Sequence, residues 1–365
     1  MSKYPHLFSN FKIGSLELSN RSAVSPMTRT SAQHNGLANE RMARYYSRFA
    51  RGGFSLIITE GTYPDLTHGQ AYKNQPGIAT DEQAAAWKRV VDAVHKEGGK
   101  ILLQLQHAGA LVQYNHYTDY SIAPSAVKPK GEKLKDHGGS GEYPLPKEIN
   151  EKEIETVIES FANAALRAKN VGFDGIEVHG ANGYLLDQFH TDYTNLREDE
   201  FGGTPENRVR LSVLVLKAIR NKVGNNFVVG IRVSQGKVND FHHKWKGGAE
   251  EAKVIFENLA SANPDYIHTT EYRANKPAFG GDQNHTLAYL AKSYGNLPVI
   301  ANGQLGNPEI AEQMICKGET DLVAIGTSAL ANHDWPNKVS KGQPLNKFDH
   351  RVFDPIAVIR DEENY

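Results

Sequence analysis

The stretch GIEVHGANGYLLDQF, residues 175–189, is an apolar strand-like run that ends in three polar side chains. His179, Asn182 and Tyr184 follow one another at spacings of three and two residues. A histidine and an asparagine placed in this way can both donate hydrogen bonds to one oxygen, and a tyrosine hydroxyl carries a removable proton. The trio could therefore polarise a carbonyl group and protonate a neighbouring carbon. The same spacing also fits a hydrogen-bonded turn in which Tyr184 only supports a lid.

Arg232 is a second residue that needs a chemical partner, because it lies inside the apolar run VGIRVS. A buried guanidinium without a partner is strongly unfavourable, so Arg232 must face an anion, a polar ligand or a carboxylate. Glu60 and Glu177 also lie in strand-like runs. A purely structural ion pair with one of them remains an alternative to ligand binding.

The scaffold for these residues is predicted from short apolar runs that alternate with helical patterns. Eight runs have the composition of strands: SAVSP at 22, SLIITEG at 55, KILLQLQH at 100, GIEVHG at 175, FVVGIRVS at 227, DYIHTTE at 265, PVIANG at 298 and LVAIG at 322. A typical helix between them is residues 80–98, where we expect Thr80 and Gln83 to form a capping box. Strict alternation predicts an α/β fold, a single (β/α)8 TIM barrel that takes up residues 1–365 as one domain.

A long insertion follows the third predicted strand, at residues 108–149. It is rich in Gly, Pro, Lys and Tyr and has no helical period. Loops of this length are usually functional, so we predict a lid over the barrel mouth, with a disordered insertion as the alternative. We expect lid residues around Tyr114, His116 and Tyr117, together with Tyr272, to shape specificity.

Polar residues and glycines at the strand ends mark the expected active site, which lies at the C-terminal face of a TIM barrel. Glycines after the seventh and eighth strands lead into helices, where amides and two helix dipoles could hold a phosphate. No metal site is predicted, since a metal-dependent hydrolase needs several ligands at the strand ends and SAVSPMT offers none. A Schiff-base aldolase needs a lysine within a strand, and DYIHTTE has none. A doubly wound sheet is disfavoured because SPMTRTSAQ lacks a Gly-rich phosphate turn.

Composition points to a small-molecule partner. The 41 basic and 42 acidic residues nearly cancel, which argues against nucleic-acid or membrane binding. The longest apolar run, LAYLA, is far below the ~18 residues of a membrane span. The single cysteine, Cys316, excludes an intramolecular disulfide and suits a reducing compartment, so we predict a cytoplasmic protein in which Cys316 packs inertly on a helix.

The order of these motifs strongly resembles the Old Yellow Enzyme family of flavin-dependent ene-reductases. The resemblance spans nearly the whole chain, from LFSNFKIGSLELSNRSAVSPMTR through ITEGTYP, ILLQLQHAGA and GFDGIEVHGANGYLLDQF to NLREDEFGGTPENRVRL, GIRVS and DLVAIG. It implies an FMN-dependent NAD(P)H oxidoreductase, with NADPH or NADH as reductant, that reduces activated C=C bonds of α,β-unsaturated carbonyl compounds. Hydride would pass through flavin N5 by a ping-pong scheme, and nitro compounds and quinones are further candidate acceptors.

The resemblance also implies roles for individual residues. His179 and Asn182 would hold the substrate carbonyl oxygen, Tyr184 would protonate the α-carbon, and Arg232 would lie at the N1/O2 edge of non-covalently bound FMN. The ring would contact Pro26, Met27, Thr28, Gly61 and Gln104, and the phosphate would contact Gly303, Gln304, Gly326 and Thr327. A flavin-binding or redox-sensing module with little turnover is the rival interpretation, and a homo-oligomer is left open.

Two positions depart from the family pattern. Relatives commonly have Gly-Arg after the eighth strand, whereas this chain has Gly326-Thr327, so we expect looser FMN retention unless another Lys or Arg reaches the phosphate. Gln106 stands where several relatives have tryptophan, which leaves substrate orientation open.

Overall fold

The computed structural model describes residues 3–280 and 285–360, which form twelve strands and ten α-helices in these parts of the chain. The strands are β1 Phe11–Ile13, β2 Leu16–Leu18, β3 Ser22–Val24, β4 Leu56–Ile58, β5 Lys100–Leu105, β6 Ile122–Ala123, β7 Lys147–Glu148, β8 Gly175–Asn182, β9 Val228–Lys237, β10 Tyr266–Thr270, β11 Val299–Asn302 and β12 Leu322–Ile325. The helices are α1 Glu40–Arg51, α2 Asp81–Lys96, α3 Glu151–Val171, α4 Leu185–His190, α5 Pro205–Val223, α6 Gly248–Ser261, α7 Leu287–Gly295, α8 Pro308–Cys316, α9 Thr327–Ala331 and α10 Trp335–Ser340. Two 3₁₀ turns lie at Lys135–His137 and His350–Phe353.

Eight parallel strands close into a barrel in the order β3-β4-β5-β8-β9-β10-β11-β12. They coincide with the eight runs read from the sequence, so the predicted (β/α)8 TIM barrel is confirmed. The register brings His179 of β8 beside Arg232 of β9, and Arg232 beside His268 of β10. Three potential donors therefore lie at one level of the barrel wall.

Helix α2 begins where the sequence predicts, although its cap differs in detail. Thr80 accepts from the backbone N–H of Gln83, as expected for the start of α2. The side chain of Gln83, however, accepts from the N–H of Ala79 and not of Thr80, so the predicted reciprocal capping box is wrong at this helix. A complete capping box occurs instead at α3, between Asn150 and Glu153.

The lower half of the barrel is filled with apolar side chains. The hairpin β1–β2 places Ile13, Leu16 and Leu18 against barrel residues that include Leu102 and Ile300. Because these side chains plug the N-terminal end, the polar residues at the C-terminal ends of the strands can face a cavity instead of a second core.

The insertion of residues 108–149 is folded against the barrel. Strands β6 and β7 pair within it, and Gln113 accepts from the backbone N–H of Leu134 at 2.5 Å, just before the 3₁₀ turn Lys135–His137. Among residues 3–280 and 285–360, no helix combines the length and apolarity that a bilayer span requires. Cys316, the last residue of α8, is exposed, so its predicted packing is wrong.

Candidate active site

Two connected hollows open at the C-terminal face of the barrel. The inner one, which we call the mouth cavity, is lined by Thr28, Gly61, Gln104, His179 and Tyr184. The outer one, the outer cleft, is lined by Gly303, Gln304, Gly326, Thr327 and Ser328 and has a volume of about 480 Å³. Four of the predicted site residues line both hollows: Pro26, Met27, Asn182 and Arg232. The volume of the outer cleft lies within the range of roughly 300–1,000 Å³ typical of small-molecule sites.

The sharp turn at the end of β8 brings His179, Asn182 and Tyr184 together. Asn182 has φ +62° and Gly183 has φ +88°, a left-handed pair that asparagine and glycine tolerate best. The turn is fixed from below, because Asp187 accepts from the Gly183 N–H at 2.6 Å. Asp187 in turn forms a fully buried ion pair with Lys237, whose Nζ lies 3.0 Å from its Oδ2. As a result His179, Asn182 and Tyr184 all line one cavity.

His179 is a neutral hydrogen-bond donor in this setting. Burial, reinforced by the positive charge of Arg232 and by His268, lowers the pKa of His179 well below its ordinary value. Its Nδ1 is buried and has no hydrogen-bond partner among the described residues. A proton on Nδ1 would leave an unpaired buried N–H, so the favoured tautomer carries the proton on Nε2, which is left to face the cavity.

Tyr184 forms a pair with a second buried tyrosine that the sequence analysis missed. The hydroxyls of Tyr72 and Tyr184 lie 2.5 Å apart, and both side chains are buried. Burial raises the pKa of Tyr184 to about 12, although the hydrogen bond from Tyr72 and the charge of Arg232 act in the opposite direction. Tyr184 is therefore a protonated phenol at neutral pH. When it gives up its proton, the Tyr72 hydroxyl can donate a hydrogen bond to the resulting phenolate.

We predict that Tyr72→Phe slows proton delivery by Tyr184. Without the hydrogen bond from Tyr72, the pKa of Tyr184 rises further, and proton release becomes slower by roughly tenfold. The measurement is the rate at which the reduced protein reacts with an enone, compared with its reduction by NAD(P)H, which should not change. A variant as slow as Tyr184→Phe would instead identify Tyr72 as the donor.

Arg232 is buried without a carboxylate contact. Its Nη2 donates to Thr270 Oγ1 at 3.1 Å and to Asn302 Oδ1 at 2.8 Å. Its Nε has no partner within residues 3–280 and 285–360. Burial lowers the pKa of Arg232 to about 10, so it is still a cation at neutral pH.

The two carboxylates considered as structural partners of Arg232 are engaged elsewhere. Glu60 accepts from the backbone N–H of Arg29 at 2.9 Å. Glu177 lies near enough to favour the charge of Arg232 but bonds instead to His268, at 2.8 Å, and to Gln104, at 2.8 Å. A direct structural ion pair therefore does not account for Arg232, which leaves its guanidinium available to an anionic or electron-rich ligand.

FMN fits the residues present. A flat ring that becomes anionic on reduction would meet the unpartnered Nε of Arg232, which gives that buried cation a partner. Gln104 donates its amide to Glu177, so its carbonyl oxygen is the part left for the ring. The glycine turns line the outer cleft, which Arg232 also lines, and a phosphate could bind at these turns.

The insertion contributes different residues from those expected. Leu134 and His137 line the mouth cavity, and the ring of His137 lies 4.7 Å from that of Tyr72. Tyr114, His116 and Tyr117 do not line either hollow; they pack around His34 and Tyr63 outside them, as shown by the 3.1 Å contact between the hydroxyls of Tyr63 and Tyr117. Tyr272, by contrast, lines the outer cleft, and Phe353 from the C-terminal segment lines both hollows.

Comparison with known proteins gives one consistent result. The sequence profile of the NADH:flavin oxidoreductase / NADH oxidase family matches residues 6–346. The chain is 34% identical to 12-oxophytodienoate reductase 1 of Oryza sativa subsp. japonica, covering 97% of this chain and 92% of the relative. It is also 34% identical to an NADH oxidase of Thermoanaerobacter brockii over 94% of this chain, but spans only 52% of that longer protein.

Solved structures agree with the sequence relatives. The Old Yellow Enzyme homologue of Zymomonas mobilis superimposes with a TM-score of 0.86 at 28% identity, covering 98% of this chain and 99% of the other. Morphinone reductase superimposes with a TM-score of 0.83 at 30% identity, covering 96% and 93%. One structure of morphinone reductase is a complex with tetrahydroNAD. With its barrel, its FMN-compatible mouth and a family match over nearly its whole length, the chain belongs to the Old Yellow Enzyme family of NADH:flavin oxidoreductases.

Proposed function

We propose that this protein reduces the activated C=C bond of α,β-unsaturated carbonyl compounds, using FMN and NAD(P)H. One observation carries the proposal: two potential donors to a carbonyl oxygen, His179 and Asn182, share a cavity with the protonated hydroxyl of Tyr184, and Arg232 stands beside them without a carboxylate contact. Nitro compounds and quinones are further candidate acceptors, because both offer polar oxygens to the same donors.

The chain's own residues would orient the substrate and supply its proton. When bound, FMN would supply the hydride-transfer chemistry that links NAD(P)H to the β-carbon of the alkene, and Arg232 and Gln104 would hold its ring. His179 and Asn182 would hold the carbonyl oxygen, on which enolate charge accumulates. Tyr184 would then give its proton to the α-carbon, so that hydride and proton together saturate the bond, and a proton from solvent would restore the phenol.

The names of two relatives support this substrate class. One is a reductase of 12-oxophytodienoate and the other a reductase of morphinone. The rival function, a flavin-binding or sensing module with little turnover, needs neither the two donors nor a buried tyrosine pair. The presence of all four side chains in or beside one cavity therefore favours an enzyme.

The test is steady-state turnover of purified, FMN-saturated protein under anaerobic conditions. We expect 2-cyclohexenone to drive continuous oxidation of NADPH or NADH, with parallel double-reciprocal lines as in a ping-pong scheme. Cyclohexene, which lacks the carbonyl group, is the matched control and should support no turnover. Reduction of the flavin without any oxidation by the enone would favour the sensing module, and intersecting lines would contradict the ping-pong scheme.

A further inference from the structure

If the outer cleft binds the phosphate of FMN, its lining offers little positive charge to neutralise that phosphate. The two cations among its described lining residues are Arg232, which is assigned to the flavin ring, and Lys237, which is paired with Asp187. Arg232 bonds to Thr270 and Asn302, and Lys237 is buried against Asp187 with Nζ–Oδ2 3.0 Å. Thr327, where the family resemblance implies an arginine, is uncharged. A phosphate dianion would therefore meet glycines and hydroxyls without a dedicated counter-charge.

The helix dipoles at the starts of α8 and α9 stabilise the negative charge of a phosphate less than the sequence suggested. At the start of α8 the side chain of Asn307 accepts from the N–H groups of Glu309 and Ile310, at 2.9 and 3.3 Å. Pro308 has no N–H to donate. Helix α9, with five residues, is too short to provide a substantial dipole. The predicted pair of helix termini is therefore a weak substitute for a cation.

A loop that carries an arginine is fixed directly to the glycine turn of this cleft. Ala274 donates its backbone N–H to Gly303 O at 3.0 Å, and Glu271 donates to Asn302 O at 3.0 Å. The contact is close enough that a Cβ on Gly303 would lie 2.1 Å from the carbonyl oxygen of Glu271. Residues 271–274 therefore hold a fixed position beside Gly303.

Arg273 occupies the middle of this loop. Its guanidinium carbon lies 5.8 Å from the ring centroid of Tyr272, and Tyr272 lines the outer cleft. The side chain is exposed, and no carboxylate within the described residues forms an ion pair with it. The acidic residue of the loop, Glu271, is already neutralised by Lys244 at 2.6 Å. Arg273 is thus an exposed cation on a loop that borders the cleft, although its own side chain does not line the cleft.

The geometry points to Arg273 as the residue that binds the terminal phosphate of FMN, in place of the arginine that the family resemblance implies at the position of Thr327. The assignment rests on the proposed use of FMN. A phosphate bound by Gly303 and Gln304 would lie against the loop that carries Arg273, and a long arginine side chain can turn from the Tyr272 ring towards it. A guanidinium can give a phosphate two parallel hydrogen bonds. In this assignment the cation that binds the phosphate is Arg273, which follows β10, and not a residue that follows β12.

The test compares two flavins that differ only in the phosphate. Apoprotein is titrated with FMN and with riboflavin, and binding is followed by quenching of flavin fluorescence. Arg273→Gln should weaken FMN binding by about fivefold to tenfold, since a charged hydrogen bond at a partly exposed rim is weaker than a buried one. Riboflavin binding should change less than about twofold, because riboflavin has no phosphate for Arg273 to contact.

Two further variants make the result specific. Lys276→Gln removes the same charge from the same loop at an exposed position outside both hollows and should leave FMN binding unchanged. Adding Thr327→Arg to Arg273→Gln should restore FMN affinity, because it returns a cation to the usual position.

Three outcomes would overturn the assignment. Equal weakening of FMN and riboflavin would mean that Arg273 acts on the fold of the loop and not on the phosphate. Unchanged FMN affinity with a higher KM for NADPH, but not for NADH, would place Arg273 on the reductant's 2′-phosphate. Unchanged affinity with no effect on either reductant would remove it from phosphate binding altogether. Failure of the unaltered protein to bind either flavin would instead refute the proposed function.

Discussion

Replacing Tyr184 with phenylalanine is expected to slow alkene reduction by about 10²- to 10⁴-fold, the usual contribution of a positioned general acid. Tyr184 is the hydroxyl of the trio, it lines the mouth cavity, and its pKa of about 12 keeps it protonated at neutral pH. Phenylalanine keeps the ring that packs 5.1 Å from that of His179, so the variant removes the proton and little of the packing. Hydride transfer from NAD(P)H requires no proton from Tyr184 and should keep its rate.

The two half-reactions should be measured separately by anaerobic stopped-flow absorbance. The matched control is Tyr143→Phe, which removes the hydroxyl of another buried tyrosine in the same cluster, one that does not line the mouth cavity. The Tyr143 hydroxyl contacts Gln113 at 3.4 Å and the backbone of Leu134, away from the cavity surface, so its loss should have little effect on either half-reaction. Equal slowing of both half-reactions by Tyr184→Phe would indicate damage to the flavin site and exclude a specific proton donor.

Substrates that do not need the proton offer an internal check on the same variant. A reduced quinone carries its charge on oxygen atoms, which water can protonate readily. Water protonates the α-carbon of an enolate much less readily, so that step depends on a positioned acid. Tyr184→Phe should therefore reduce quinones at nearly the normal rate if quinones are accepted at all. Loss of both activities would contradict the assignment of Tyr184 to carbon protonation.

The fold and the position of the site could be predicted because they depend on local patterns. Strand-forming runs that alternate with amphipathic helices force parallel strands and a barrel, and the barrel places the strand ends on one face. His179 and Arg232 were identifiable because each is a polar residue in an apolar strand. The strand register then places them side by side.

The residues that were missed depend on contacts between distant parts of the chain. Tyr72 lies in an irregular segment after β4 and meets Tyr184, 112 residues later, only through the folded barrel. Lys237 and Asp187 are 50 residues apart, and nothing local shows that they form a buried pair beneath the turn. His137 lines the mouth cavity from within the insertion of residues 108–149. No periodic pattern within a loop encodes such a placement.

Removal of either carbonyl-binding donor is the second large effect we expect. Loss of one preorganised donor to a developing oxyanion typically costs about 10²- to 10³-fold in kcat. His179→Leu should lower alkene reduction by this amount, since its neutral imidazole can no longer donate to the substrate oxygen. His179→Asn, which retains an N–H donor, should recover part of the rate.

Asn182 requires a different substitution because of its backbone. Its φ of +62° would strain most residues, so loss of activity in an alanine variant could reflect the turn alone. Asn182→Asp keeps the shape and tolerates the left-handed conformation, but replaces a donor with a negative charge aimed at the same oxygen. We expect a loss at least as large as that of His179→Leu, while the reduction rate by NAD(P)H is retained.

Combining the two changes tests whether both donors serve one oxygen atom. Residues that bind the same developing charge are coupled, so the double variant His179→Leu/Asn182→Asp should lose less than the product of the two single losses. Asn239→Asp is the control for the added charge, because Asn239 lies behind Gly183 but lines neither the mouth cavity nor the outer cleft. Strict multiplicativity of the two losses would mean that His179 and Asn182 act on different atoms. In that case one of them would bind a second polar group of the substrate, and an enone with a single carbonyl would be a poor model of what this cavity accepts.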